Sequence, residues 1–252
     1  MVSIGLVANI YNEINALPGW LETHLPFFDD IRVYHAGPNG ALSDDGTMEL
    51  LEKWHIPVLI GSIDEGFGAV RTKAIHFSPC EYVMILDADE RFFPVHRVMS
   101  CHGISTLHQE VDEILHSYDI RDKSSSPDWD RISKLGSSLT VDIGTPYNQG
   151  ARLREIIEND KPDAIRSIRR HWHDFSFRKP TQGWLVEPDW QSRIVHNDPS
   201  IFFDPMIRMH ERMRGVDSIL YADMERGPFF DHFHFFFKRM EMDQRRHDVA
   251  IY

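Results

Sequence analysis

The segment Tyr82-Val83-Met84-Ile85-Leu86-Asp87-Ala88-Asp89-Glu90 passes from a stretch apolar enough to be buried straight into a cluster of carboxylates. Burying such groups unpaired is costly, so they belong at an edge of the fold. The C-terminal edge of a parallel strand is where open α/β sheets bind their ligands. Carboxylates placed there can hold a hard divalent cation that bridges to phosphate oxygens. Alternation in an extended segment would point Asp87 and Asp89 to the same side. A solvated acidic turn is the plainer reading of a lone Asp-x-Asp. The buried strand before it, and Arg71 in the helix upstream, favour a functional one. An arginine pairs with either phosphate or carboxylate in a planar fork, so Arg71 would orient a ligand as well as neutralise it.

The elements that must position these groups are readable over the first 90 residues, where short apolar runs alternate with amphipathic segments in the order βαβαβαβ, the pattern of a parallel sheet. The strands are expected at Ser3 to Ala8, Ile31 to His35, Pro57 to Ile60 and Tyr82 to Leu86. The helices fall between them at Leu17 to Phe28, Asp44 to Trp54 and Gly68 to Phe77, with Asp44 as N-cap of the second. Beyond Pro94 the pattern degrades. Residues 100–180 read as an insertion with a helical piece at Ile104 to Tyr118, a polar stretch at Lys123 to Ser126 and a charged helix near Arg152 to Asn159. A second β-like region runs from Trp184 to Met209, and the tail from Phe229 to His247 reads as an aromatic packed segment followed by an exposed charged helix.

Composition narrows the partners. With 252 residues and 42% hydrophobic content, the chain suits one α/β folding unit with a full core. Its 27 Lys and Arg against 39 Asp and Glu give a formal charge of −12, which repels a polyphosphate backbone and argues against nucleic acid. A nucleotide is still compatible, because one metal ion and one or two arginines offset a diphosphate locally. Cys80 and Cys101 are too few for a disulfide scaffold, and a reducing cytoplasm is expected. The first residues lack a basic n-region, and Asn9 and Asn12 interrupt their apolar run, so neither signal peptide nor anchor is expected. No apolar stretch reaches the roughly 18 residues that a membrane span needs, which leaves peripheral membrane contact open.

The first 95 residues resemble the inverting family 2 glycosyltransferases of GT-A fold, in the bacterial branch whose motif reads Leu-Asp-Ala-Asp-Glu. The resemblance rests on Tyr11-Asn12-Glu13 after the opening strand, on Ser43-Asp44-Asp45-Gly46-Thr47 leading into a helix, on Arg71, and on Asp87-Ala88-Asp89-Glu90. It implies an α/β fold of GT-A type: a Rossmann-like, mostly parallel sheet flanked by helices, with a helical and loop insertion and a C-terminal aromatic and charged segment. The chain would be one such domain, with a nucleotide-sugar-binding half at 1–95, the insertion at 100–180, and the acceptor side with the C-terminal segment at 181–252. The implied reaction moves a sugar from a nucleotide-diphosphate donor to a saccharide, lipid-linked sugar or protein acceptor, with Mn²⁺ or Mg²⁺. Asp89 would bind the metal directly, Asp87 the donor ribose or the metal, and Arg71, with Asn12 and Glu13, the nucleotide.

The chain departs from the family where an acidic residue usually follows the second strand to read the base. It has His35-Ala36-Gly37-Pro38-Asn39-Gly40 there, so either Asn39 or Asp45 substitutes or the donor nucleotide differs from the uridine type common in the family. A second resembling block is Trp190-Gln191-Ser192-Arg193-Ile194-Val195, then Phe202-Phe203, then His210-Glu211. Inversion needs a base for the acceptor hydroxyl. Glu211 is the first candidate, with Glu187 and Asp189 in Glu187-Pro188-Asp189-Trp190 as rivals. The family often completes the metal shell with a histidine from the C-terminal half, which singles out His210 and His234. His171-Trp172-His173 and His232-Phe233-His234 also carry the same-face spacing of a histidine pair on a strand, although with 15 histidines a structural role is the default for each. Trp184 and Trp190 are better placed than the Phe229 to Phe237 cluster to stack on a sugar ring, with core packing the default for each. Two other functions fit parts of the pattern. A nucleotidyltransferase would need a glycine-rich basic loop after the first strand, where this chain has Asn9 to Asn15; the other is a catalytically inactive glycan- or partner-binding module.

Overall fold

The computed structural model describes residues 2–101, 141–171, 189–205, 212–222 and 227–233. The chain divides into two compact units: residues 1–94, 148–168 and 190–230 form the first, and 95–147, 169–189 and 231–252 the second.

The first unit opens as the sequence predicts, with strands and helices in turn. Strands β1 (Ile4–Ile10), β2 (Asp30–Gly37), β3 (Val58–Ser62) and β4 (Tyr82–Ile85) are separated by helices α1 (Leu17–His24), α2 (Thr47–Lys53) and α3 (Phe67–Phe77). Short strand β5 (Glu90–Arg91) follows, then α4 (Gln149–Asp160), β8 (Ala164–His171) and β9 (Asp189–His196). The later strands are β10 (Phe202–Phe203), β11 (Met213–Arg214), β12 (Ile219–Tyr221) and β13 (Phe229–His232). Between β5 and α4 lie β6 (Val95–Cys101) and β7 (Val141–Asn148), which pair with each other in a sheet of two strands. The main sheet has nine strands in the order β3-β2-β1-β4-β9-β8-β13-β5, with β12 added alongside β8. Pairings β1–β2, β1–β4, β2–β3 and β8–β12 are parallel, whereas β4–β9 is antiparallel. The expected α/β class and mostly parallel sheet flanked by helices are therefore what the structure shows.

In the β1–β4 register Val7 lies opposite Ile85, so β4 ends there while β1 runs on to Ile10. On one face, Val7, Tyr34, Val83 and Ile85 pack under Val70, Ala74 and Ile75 of α3. Burial of this kind, at about 1.5–3 kcal/mol for each large aliphatic side chain, fixes α3 far more than its helix propensity does. The first turn of α3 comes so close to the β10 end that a Cβ on Gly68 would lie 2.5 Å from the Asp204 carbonyl oxygen, so only glycine fits. Thr72 locks the same contact, its hydroxyl donating to the Gly68 carbonyl at 2.8 Å and accepting the Phe203 N–H at 2.9 Å.

Several boundaries differ from expectation for identifiable reasons. α2 is capped by Gly46 in the left-handed region (φ 93°), and not by Asp44; the Thr47 N–H goes to the Asp45 carboxylate at 3.0 Å instead. α4 starts at Gln149, earlier than Arg152, because the Asn148 side chain accepts the Ala151 N–H at 2.8 Å. Phe229 to His232 forms a strand, with Phe230 and Phe233 buried, which fits the packed aromatic segment. The helical piece at Ile104 to Tyr118, the polar stretch at Lys123 to Ser126, most of the region from Trp184 to Asp189, and the tail beyond Phe233 lie outside the described residues.

In the second unit, Arg170 and Asp231 form a two-pronged ion pair, Nε to Oδ1 at 2.8 Å and Nη2 to Oδ2 at 2.9 Å, with side chains 5% and 0% exposed. Each charge faces the other across two hydrogen bonds, which offsets part of the cost of burying them.

Candidate active site

The C-terminal ends of β1, β2 and β4 present three loops side by side. The loop after β4 carries the carboxylates. Residues Asp87 to Glu90 form a tight turn in which the Glu90 N–H donates to the Asp87 carbonyl at 2.9 Å, so the extended alternation expected there is replaced by a turn. Exposure still alternates. Asp87 and Asp89 are partly exposed, while Ala88 is 2% and Glu90 0% exposed. The cause is a set of anchors on the turn rather than strand geometry. The buried Glu90 carboxylate accepts the Asp87 N–H at 2.9 Å, and the buried Arg91 guanidinium donates to the carbonyls of Ala88 at 2.5 Å, Glu90 at 2.9 Å and Ala16 at 2.7 Å. Burial brings the Arg91 pKa down to about 10, with Asp89 and Glu13 pulling it back up. Next to it, the Phe92 N–H donates to Nε2 of the fully buried His24 at 2.9 Å. Burial, then the Arg91 charge, hold that imidazole well below its ordinary pKa, which keeps it neutral.

Two arginines meet Asp87 from different elements. Arg71 of α3 donates through Nη2 to both Asp87 oxygens at 3.2 Å. Arg193 of β9 donates through Nη2 to Asp87 Oδ2 at 3.0 Å and to Glu90 Oε1 at 2.8 Å. The antiparallel register, Met84 opposite Ile194, carries Arg193 towards the C-terminal end of β4. The arginine side chains are 9% and 4% exposed, Asp87 33% and Glu90 0%. These four charges sum to zero, the condition under which such groups can be buried.

The loops after β1 and β2 are laced together by weaker bonds. Asn12 lies in the left-handed region (φ 55°), a conformation asparagine tolerates. Its N–H donates to Ser43 Oγ at 2.9 Å, its Nδ2 to Asp44 Oδ1 at 3.0 Å, and its Oδ1 accepts the Asp44 N–H at 3.2 Å. The Glu13 N–H donates to Thr47 Oγ1 at 2.9 Å and the Ile14 N–H to Asp45 Oδ2 at 3.0 Å. Partial burial works against the Asp45 charge, yet the bonds from Thr47 and from the Ile14 and Thr47 N–H groups together hold its pKa below the ordinary value. Gly37 closes β2, where a Cβ would lie 1.9 Å from the Ala41 carbonyl oxygen, so the loop folds back at once.

His35, within β2, is fully buried. The Ser43 N–H donates to its Nε2 at 3.1 Å, which requires that nitrogen to be unprotonated and assigns the remaining proton to Nδ1. Burial lowers its pKa, so the ring is neutral and supports the loop. Asn39 is exposed, with its N–H donating to Asp64 Oδ2 at 2.6 Å.

The structure thus brings Arg71, Asp87 and Glu90 into one network, and Asn12, Glu13, Asp44 and Asp45 into a second. Asp189 opens β9. Glu187, His210, Glu211, His234, Trp184 and His173 lie outside the described residues, and Trp190 is described only as backbone within β9. Arg193 is the site residue to which sequence reasoning gave no role. The signal was a cation directly preceding the apolar pair Ile194-Val195 in a strand, where a buried charge demands an acidic partner.

Among the described residues, no group of three or more His, Cys, Asp or Glu side chains converges as a complete metal cage. Mg²⁺-type ions are commonly held by one or two carboxylates together with substrate phosphates, and a partly exposed carboxylate on a fixed turn fits that donor set. Asp89 is such a partly exposed carboxylate, and both Asp87 oxygens accept from guanidinium groups.

No family model matches the chain, and no curated protein matches it. Among solved structures, it is similar to TarS of S. aureus at 11% identity with a TM-score of 0.49, covering 91% of this chain and 36% of that one. The crystal structure of TarS 1-349 in complex with UDP matches at 10% identity with a TM-score of 0.48, covering 91% and 60%. Glucosyl-3-phosphoglycerate synthase from Mycobacterium tuberculosis, in complex with Mn²⁺, UDP and glucosyl-3-phosphoglycerate, matches at 18% identity with a TM-score of 0.29, covering 35% and 34%. The chain therefore spans about a third of the full TarS chain. No described helix is long and apolar enough to cross a membrane.

Proposed function

We propose that the chain is a metal-dependent, inverting glycosyltransferase of GT-A type that takes a nucleotide-diphosphate sugar as donor and a hydroxyl of a saccharide, lipid-linked sugar or protein as acceptor. The observation that carries this reading is the Asp87–Glu90 turn at the C-terminal edge of a parallel sheet, where buried arginines hold the turn and its two aspartates remain partly exposed. Asp89 would hold Mn²⁺ or Mg²⁺ together with the donor's phosphate oxygens, and the bound ion supplies Lewis-acid assistance to the departing diphosphate. Asp87, fixed by Arg71 and Arg193, presents its outer face to the donor ribose. Asn12 and Glu13, with Asn39 or Asp45, border the nucleotide from the neighbouring loops. Glu211 is the base that takes the proton of the attacking hydroxyl, with Asp189 as the competing assignment. His210 and His234 are the histidines assigned to the ion's remaining positions.

Incubating the purified protein with a panel of nucleotide sugars, with and without Mn²⁺, tests the reading. Metal-dependent release of a nucleoside diphosphate is the expected result. Release of pyrophosphate would instead identify nucleotidyl transfer, and no turnover or binding across the panel would leave a partner-binding module. Asp189→Asn and Glu211→Gln, compared side by side, identify the base: only its loss cuts turnover severely while donor affinity is retained.

A further inference from the structure

Arg193 reaches the carboxylate turn from β9, across more than a hundred residues of chain, and is almost completely buried. One nitrogen, Nη2, donates to both Asp87 Oδ2 and Glu90 Oε1. The second oxygen of Glu90 accepts the Asp87 N–H, so Arg193 closes a ring that runs through the Asp87 side chain, its backbone and the Glu90 side chain. The Phe230 ring lies 5.6 Å from the guanidinium carbon. Little of Arg193 is left open to a ligand, and its influence on one has to pass through Asp87 and the turn.

Resting on the function above, we propose that Arg193 is a positioning residue: its bridge between Asp87 and Glu90 fixes the turn so that Asp89 stands where a cation and the donor diphosphate can share it. Arg71 meets Asp87 from α3, and Arg193 ties the first residue of the turn to the last. The same bridge also joins β9 to the end of β4, so a purely structural role is the competing account. The two differ in what they predict for a folded variant. Positioning predicts a loss in the part of nucleotide affinity that depends on metal; structural support predicts a lower melting temperature with that part intact.

The experiment measures binding of UDP, GDP, ADP, CDP and dTDP by calorimetry, in Mn²⁺ and in EDTA, beside thermal melts of each protein. In the double variant Arg193→Met/Glu90→Gln, no lone buried charge remains, and the glutamine can still accept the Asp87 N–H. Its gain in nucleotide affinity on adding Mn²⁺ is expected to fall about tenfold, the usual scale for removing a partner that orients a metal ligand, while affinity in EDTA changes little. Arg193→Lys keeps the charge but not the reach of the bridging nitrogen. It secures a second folded variant, and its Mn²⁺-dependent gain is expected to fall by a smaller factor. A folded variant that keeps the full wild-type gain, or that loses EDTA affinity to the same extent, overturns the positioning role and leaves the glycosyltransferase reading standing. A wild-type protein with no Mn²⁺-dependent nucleotide binding overturns both.

Discussion

The loops at the end of the sheet are held in two different ways. The turn after β4 is fixed by buried charges that come from α3 and β9, while the loops after β1 and β2 are fixed by hydrogen bonds among neighbouring backbone groups and short polar side chains. A buried ion network works as a unit, because removing one member leaves another uncompensated in a medium that does not solvate it. A partly exposed lace degrades gradually, since water replaces each lost bond. The first arrangement suits the metal-binding role proposed for the turn, the second the nucleotide-facing role proposed for the loops.

The largest effect that tests this contrast is on stability. Arg193→Met alone leaves Glu90 buried without that partner, and urea denaturation should show a loss of about 3–5 kcal/mol, of which the added Glu90→Gln recovers a large part. A loss below about 1 kcal/mol would mean that the network does not act as a unit. Next comes Asp89→Ala. Metal-dependent turnover should fall at least about a hundredfold, equivalent to roughly 2.7 kcal/mol of barrier, while the circular dichroism spectrum and melting temperature stay near wild type. Retained turnover would remove the metal role from that residue.

Asp45→Ala probes the other side of the comparison. It strips acceptors from the Ile14 and Thr47 N–H groups and should cost about 1–2 kcal/mol, with Asp45→Asn recovering part of it. If this variant proved as damaging as Arg193→Met, the distinction between lace and network would fail. The smallest effect is a pH slope. The folded pKa values of His24 and His35 lie below the ordinary value of about 6.5, so the unfolded chain binds more protons as pH falls through that value. Their contribution to stability is complete above about pH 6.5 and is lost progressively below it, down to the folded values. Melting temperatures measured from neutral to acidic pH should fall, and His24→Gln should flatten the fall.

Much of the first 95 residues was legible because strand and helix periods, and the turn residues between them, are local properties. The four strands and three helices appear where apolar runs and amphipathic segments placed them, within a few residues at each end. The carboxylate turn was equally visible, as an abrupt change from buried to acidic. The N-cap of α2 lies two residues beyond Asp44, at Gly46, and the carboxylate that accepts the Thr47 N–H is that of Asp45, which a sequence with two adjacent aspartates does not distinguish.

By itself, the sequence determined which residues are acidic, which strand delivers them to the sheet edge, and that so many charges require partners. Only the tertiary structure decided who the partners are. Arg71 and Arg193 reach Asp87 from opposite directions in the chain, at separations of 16 and 106 residues, and no local pattern encodes that meeting. It follows from β9 pairing antiparallel with β4 and from α3 packing across β1, and those placements are set by burial of apolar faces over the whole sheet.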